Sequence, residues 1–163
     1  MIERIYLVVF LILVFIIAPL SLLFHEVGHL VGAALMGATS IRLTIGLGKP
    51  LWQATFANIQ IIIRRFFLFN SVTSTVRTEP FTTREKIVIT SMGPMFSATL
   101  TIIAFIAYNV FVQTDILYLF FLFNLWLLVI NLIPFKIGQK QSDGYTILKL
   151  IIDSFKRKHT NSI

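Results

Sequence analysis

Hydrophobic positions fill three long stretches of this chain and set its organisation. Residues 5–24, 87–112 and 116–135 contain no Asp, Glu, Lys or Arg. As helix, each is long enough to cross about 30 Å of hydrocarbon. The pattern predicts three transmembrane helices, over about residues 5–35, 84–112 and 116–135. Pro19 is an expected kink in the first and Gly37 its expected terminator. Between the first two helices the period changes. Ile41, Leu43, Ile45 and Leu47 alternate with Arg42, Thr44 and Gly46, which is strand spacing. Gly48-Lys49-Pro50 reads as a turn, and the Ile- and Phe-rich residues 58–69 as further strands. A membrane-associated β-hairpin or sheet is therefore expected over about 40–77, and Thr82-Thr83-Arg84-Glu85 has the character of a helix start. Past the third helix, Leu148, Ile151, Ile152 and Phe155 share one helical face, with Lys149, Asp153 and Lys156 towards the other. That spacing predicts an amphipathic helix over about 144–157, lying on the cytoplasmic membrane surface. Residues 159–163 are expected to fray.

Composition strengthens the membrane reading. Of 163 residues, 56% are hydrophobic and 13% charged, with a mean hydropathy of +0.86. A soluble domain carries about a quarter charged residues. The fold class expected is a mainly α membrane protein, a single domain over residues 1–163. The first stretch exceeds the usual apolar core of a signal peptide and has no small-residue cleavage site, so it is expected to be retained. The chain has no cysteine, which excludes disulfides and thiolate-bound metal.

The net charge of +7 points to nucleic acid only if its distribution is ignored. Seven basic residues lie between the first two helices and six after the third, against Arg4 alone on the other side. The positive-inside rule turns this bias into an orientation: the N-terminus and the 113–115 turn outside, the 37–86 segment and the C-terminus cytoplasmic. The basic excess then meets topology and anionic lipid, with no nucleic-acid partner required. This arrangement fits a multi-pass protein of a bacterial plasma membrane.

The chemistry concentrates in His25-Glu26-Val27-Gly28-His29. On a helix, positions i and i+4 share a face, so His25 and His29 can bind one zinc ion, and Glu26 can reach a metal-bound water as general base. Three ionisable groups within five residues of an apolar helix cost several kcal/mol in hydrocarbon and mark a functional site; helix-end snorkelling explains polar residues but not this spacing. A catalytic zinc needs a third protein ligand. His25 lies about 30 Å along the helix from Ile5, near the cytoplasmic face, which excludes Asp115 and leaves Glu79, Glu85, Asp143, Asp153 and His159. Asp143, followed by Gly144, either completes the ligand set or caps the C-terminal helix; spacing does not choose. Helix breaks at Gly93-Pro94 and at Asn131-Leu132-Ile133-Pro134 mark places where backbone groups need partners. Asn131 is a candidate substrate contact or an interhelical hydrogen bond. Gly28 and Gly32 allow a close helix approach.

These motifs, in order, resemble those of the site-2 proteases, intramembrane zinc metalloproteases, from about residue 20 to 144. His25-Glu26-Val27-Gly28-His29 is similar to the family's metal-binding helix. Ser91-Met92-Gly93-Pro94-Met95-Phe96-Ser97 resembles its second-helix motif, and Asn131-Leu132-Ile133-Pro134 with Asp143-Gly144 its third. Residues 45–49 resemble its membrane-associated β-loop. The resemblance implies three core helices, a cytoplasmic-side zinc site with Asp143 as third ligand, and substrates that are transmembrane or membrane-associated peptide segments, with a regulatory partner left open. Two departures stand out: Ser97 where the family commonly has Asn, and eight residues between Pro134 and Asp143, more than is usual. An exposed edge of the 41–69 strands is expected to hold substrate extended. The rival readings are a zinc transporter or sensor, disfavoured by the featureless outer halves of the helices, and an inactive protease-like binding protein, disfavoured by the intact Glu26.

Overall fold

The computed structural model of the chain describes residues 2–138 and 140–160. It is mainly helical, and three of its helices are long and apolar enough to cross a membrane: Ile5–Leu35, Thr83–Val110 and Asp115–Leu132. The first is assembled from α1 (Ile2–Ile12), a π-helical turn (Leu13–Ile17) and α2 (Ala18–Leu35). Pro19 accounts for the wide turn. It lacks an N–H and its ring presses on the carbonyl four residues back, so the helix opens just before it. The Ala18 N–H accordingly reaches back to the Leu13 carbonyl. The expected kink is a π-bulge that leaves the rod continuous. α2 ends as predicted at Gly37, where the Gly37 N–H bonds the Ala34 carbonyl and the Ala38 N–H the Ala33 carbonyl.

α3 (Thr83–Val110) starts in a reciprocal cap: Thr82 Oγ accepts from the Glu85 N–H while the Glu85 carboxylate accepts from the Thr82 N–H. α4 (Asp115–Leu132) stops short of the expected residue 135, because Pro134 forces Ile133 out of helical geometry. α5 (Asp143–Thr160) is longer than predicted at both ends. Part of the expected frayed terminus, residues 161–163, lies outside the described residues.

Two long strands, β1 (Ser40–Phe56) and β2 (Ile59–Val76), form the sheet between α2 and α3. Each bends and contributes two segments. Residues 52–56 and 59–63 make an antiparallel hairpin, and 40–45 pair antiparallel with 71–76. Residues 41–45 also run alongside 59–63 with both numbers rising, from Ile41 beside Ile59 to Ile45 beside Ile63, a parallel contact. The turn expected at Gly48-Lys49-Pro50 is a bend within β1, made possible by Gly46 and Gly48 at φ 92° and 87°. Residues 41–45 are thus interior, with Ile41 and Leu43 almost fully buried. The free edge nearest the helices is 71–76, just beyond the 41–69 segment expected to expose one; that segment's own edge is 52–56.

Helices α2 and α3 touch backbone to backbone. A Cβ on Gly28 would collide with the Met92 carbonyl, and one on Gly32 would meet the Met92 side chain at 2.9 Å. Between α2 and α4 the contact is polar: the buried Asn124 amide donates to Ser21 Oγ at 3.0 Å. Asn and Ser fit this role in an apolar bundle, where few other groups compete for their hydrogen bonds. At the sheet end of the bundle, Arg77 ties three pieces together, donating to the Met36 and Glu79 carbonyls and to both oxygens of Glu85. Elsewhere the helices turn Tyr6, Phe10, Ile102, Phe105 and Phe111 outward, as side chains facing lipid do. Gly28→Ala is expected to lower the stability of the detergent-solubilised protein by about 1–3 kcal/mol, the usual cost of overpacking, read as an earlier thermal unfolding transition.

Candidate metal centre

His25 and His29 stand one turn apart on α2, their rings edge to face with centroids 4.9 Å apart. Both are held from behind by α3. His25 Nδ1 lies 2.9 Å from Ser97 Oγ, and His29 Nδ1 lies 3.0 Å from the Ile89 carbonyl oxygen. A carbonyl only accepts, so His29 Nδ1 carries the hydrogen and Nε2 presents its lone pair forward. α5 brings Asp143 to that forward side, with Oδ2 3.0 Å from His25 Nε2 and Oδ1 3.5 Å from His29 Nε2. One ligand atom from each of the three residues lies within 4.8 Å of the others.

Asp143 is free to do this because its neighbour caps the helix. Ser142, 3% exposed, accepts from the Tyr145 and Phe135 N–H groups and donates to the Ile133 carbonyl through its hydroxyl. The alternative left open by spacing, that Asp143 caps α5, therefore falls to Ser142. Gly144 completes the fit: a Cβ there would collide with the Leu132 carbonyl at the end of α4.

Lone pairs and a carboxylate facing one another at these distances repel unless a cation lies among them. Without metal a proton fills that place: burial opposes the ionised form of Asp143, yet hydrogen bonds from the protonated His25 and His29 rings more than offset this and hold the carboxyl below its ordinary value. Two imidazoles and one carboxylate, each imidazole backed by a second hydrogen bond, are a donor set suited to zinc with a position left for water. Gly93 keeps the space clear, since a Cβ there would collide with His29 and come within 2.9 Å of His25 Nε2.

A cavity of about 600 Å³ opens onto these atoms. Its walls come from α2 (Leu22, His25, Glu26, His29), the edge of β2 (Ser71, Val72, Thr73), Asn131, and the Lys140-Gln141 and Asp143 region. Glu26 is held by β2: Thr73 Oγ donates to its Oε2 at 2.7 Å. The fold thus brings His25, His29, Asp143, Glu26 and Asn131 to one cavity. Asn131 donates to the Leu127 carbonyl of its own helix at 2.9 Å, and among the described residues not to another helix. Glu85 is engaged by Arg77 instead. Sequence reasoning passed over Thr73 and Ser142. Ser142 had a legible signal, an N-cap residue type directly before a helix, whereas nothing local marks Thr73.

Three membrane-length helices around this cluster define an integral membrane protein. The model of "Peptidase family M50", the site-2 protease family, matches residues 9–115, well over half of the chain, and the chain belongs to that family. Its members are zinc metalloproteases, so the chain is a metallopeptidase by family. The matched segment contains the two histidines, Glu26 and the Gly93-Pro94 motif but ends before Asn131 and Asp143. Those two join the site through the fold. Comparison with individual curated proteins gave no match.

Ser97→Ala, which deletes the hydrogen bond behind His25, is expected to weaken cobalt affinity about tenfold. Gly93→Ala should weaken it further while far-UV circular dichroism stays unchanged. Titration of the cobalt absorption bands measures both.

Proposed function

We propose that this protein is an intramembrane zinc endopeptidase that cleaves peptide bonds in or near the membrane-spanning segments of other proteins or peptides. The observation that carries this reading is the convergence of His25 Nε2, His29 Nε2 and the Asp143 carboxylate beside Glu26 in one cavity. The three residues hold the metal, which when bound supplies Lewis-acid activation of water and of the substrate carbonyl. Glu26, oriented by Thr73, takes a proton from the attacking water and later delivers one to the departing amine. Family membership and helix length support a substrate drawn from the bilayer. The charge bias supports an orientation with the cavity on the cytoplasmic side, where α5 lies along the membrane surface with Leu148, Ile151, Ile152 and Phe155 towards lipid.

A helical segment hides its peptide bonds, so the substrate must be held extended. The edge of β2 is suited to this. The Thr39 N–H bonds the Val76 carbonyl, so by strand alternation Val76, Ser74 and Val72 turn to β1 while Ser71, Thr73 and Thr75 turn their backbone groups outward. An incoming strand would pair there, directly beside Glu26. Ser71 Oγ, buried in the same wall, has no hydrogen-bond partner among the described residues, and is placed to take one from substrate.

Two experiments test the reading. Purified wild type should carry about one zinc per chain. His25→Ala should lose it, Asp143→Ala should hold it weakly, and Glu26→Gln should keep it while losing cleavage of a fluorogenic transmembrane peptide. Zinc retained with cleavage intact in Glu26→Gln would point instead to a metal-binding protein whose peptidase chemistry lies elsewhere. For substrate docking, Ser71→Pro or Thr75→Pro removes an outward N–H without breaking the ladder to β1. Each should cut cleavage at least tenfold with zinc content unchanged; full activity in both would exclude strand addition at this edge.

A further inference from the structure

The chain between α4 and α5 forms a feature of its own. β3 (Lys136–Ile137) and β4 (Lys140–Gln141) pair as a short hairpin, Lys136 with Gln141 and Ile137 with Lys140. Its base is rigid. The Ser142 N–H bonds the Phe135 carbonyl, and the Ser142 hydroxyl bonds the Phe135 N–H and the Ile133 carbonyl. The hairpin is thus locked to the end of α4 on one side and to the start of α5, where Asp143 sits, on the other. Its second strand, Lys140 and Gln141, lines the same cavity as the histidines and Glu26.

Among the described residues Lys140 is the only Lys or Arg on that cavity wall. No carboxylate among the described residues forms an ion pair with it. The charge balance of the site gives it a meaning. Two neutral histidines, a divalent cation, and the carboxylates of Glu26 and Asp143 sum to zero, so Lys140, an exposed residue of the cavity lining, adds a net positive charge to the cavity. Neutralising the site's own acids is therefore not what the ammonium does once metal is bound. A positive group on this hairpin, in the cavity that Ser71, Val72 and Thr73 also line, favours a ligand with a negative charge at the matching position and disfavours a positive one.

Resting on the peptidase reading above, we infer that Lys140 is a specificity-determining residue that selects substrates bearing a carboxylate close to the scissile bond. The carboxylate belongs either to an Asp or Glu side chain or to a free C-terminus. An internal acid would mean cleavage at the charged border of a membrane segment; a terminal one would mean trimming of short membrane-bound peptides.

The test uses short peptide hydroxamates, which bind an active-site metal without being cleaved. Compounds carrying Asp, Asn or Lys next to the hydroxamate, each as C-terminal acid and as amide, are measured by displacement of a fluorescent hydroxamate. The zinc-loaded full chain in detergent is compared with Lys140→Gln and Lys140→Glu. Wild type should prefer the carboxylate compounds by roughly fivefold, the scale of a partly exposed ion pair. The preference should vanish in Lys140→Gln, reverse towards the Lys compound in Lys140→Glu, and shrink at high salt. If Asp against Asn makes the difference, the selected group is a side chain; if acid against amide does, it is a terminus. Equal preference in all three proteins, with tight binding throughout, would overturn the role of Lys140 and leave the peptidase reading standing. Failure of every hydroxamate to bind zinc-loaded wild type would remove that reading, and this inference with it.

Discussion

Helices α2 and α3 come so close at Gly28 that a Cβ would occupy the Met92 carbonyl, and the histidines depend on that contact. At this separation the Ile89 carbonyl and the Ser97 hydroxyl, roughly two turns apart on α3, reach Nδ1 of His29 and His25. Any larger spacing would lose both bonds, and the rings would rotate freely about their side-chain torsions. Gly93, between the two partners, has no side chain to fill the space in front of the rings. Close packing, ring orientation and an open ligand face are thus one constraint, met by small residues at three places. It operates inside an apolar bundle, where van der Waals contact and a few hydrogen bonds take over the role that hydrophobic burial has in water.

The third donor is supplied differently. Asp143 belongs to α5, which lies beyond the last membrane-spanning helix, and it approaches the histidines only because the chain reverses after Pro134. Ser142 makes the reversal stable by satisfying backbone groups at both ends of the β3–β4 loop. The carboxylate is therefore set by a loop and a helix start, while the imidazoles are set by helix–helix packing. Separate supports explain how a chain this small places three donors within one coordination sphere: neither support has to deform to satisfy the other.

Sequence legibility followed the range of the interactions. The spans, the His25-Glu26-Val27-Gly28-His29 helix, the Gly37 stop and the Thr82–Glu85 cap were readable because each depends on residues within a few positions. The early end of α4 was readable in principle from Pro134, and the cap at Ser142 from its residue type. The sheet was not. Its alternation was visible, but which segment became interior depended on the bends at Gly46 and Gly48, which fold one apparent strand into two and give 41–45 neighbours on both sides. Thr73 was silent for the same reason: its partner Glu26 is 47 residues away, and a threonine in a strand announces nothing. Ser97 was visible only as a departure from a family pattern, and its hydroxyl takes the place behind His25.

If the chain cleaves peptides as proposed, the Thr73–Glu26 hydrogen bond joins two requirements of that reaction. An extended substrate needs a β edge to hold it, and the base needs a fixed orientation towards the water. Thr73 serves both, because its backbone faces outward on the edge while its hydroxyl holds the Glu26 carboxylate. A strand docked on residues 71–75 is thereby registered against the base through a single residue and not through the sum of several flexible contacts. Catalytic geometry is sensitive to displacements of about 1 Å, and the 2.7 Å bond from Thr73 steadies the Glu26 carboxylate. On the proposed reading the sheet does more than cover one end of the bundle: it would position substrate and base in a common frame, with the β3–β4 hairpin adding the charge of Lys140 to it.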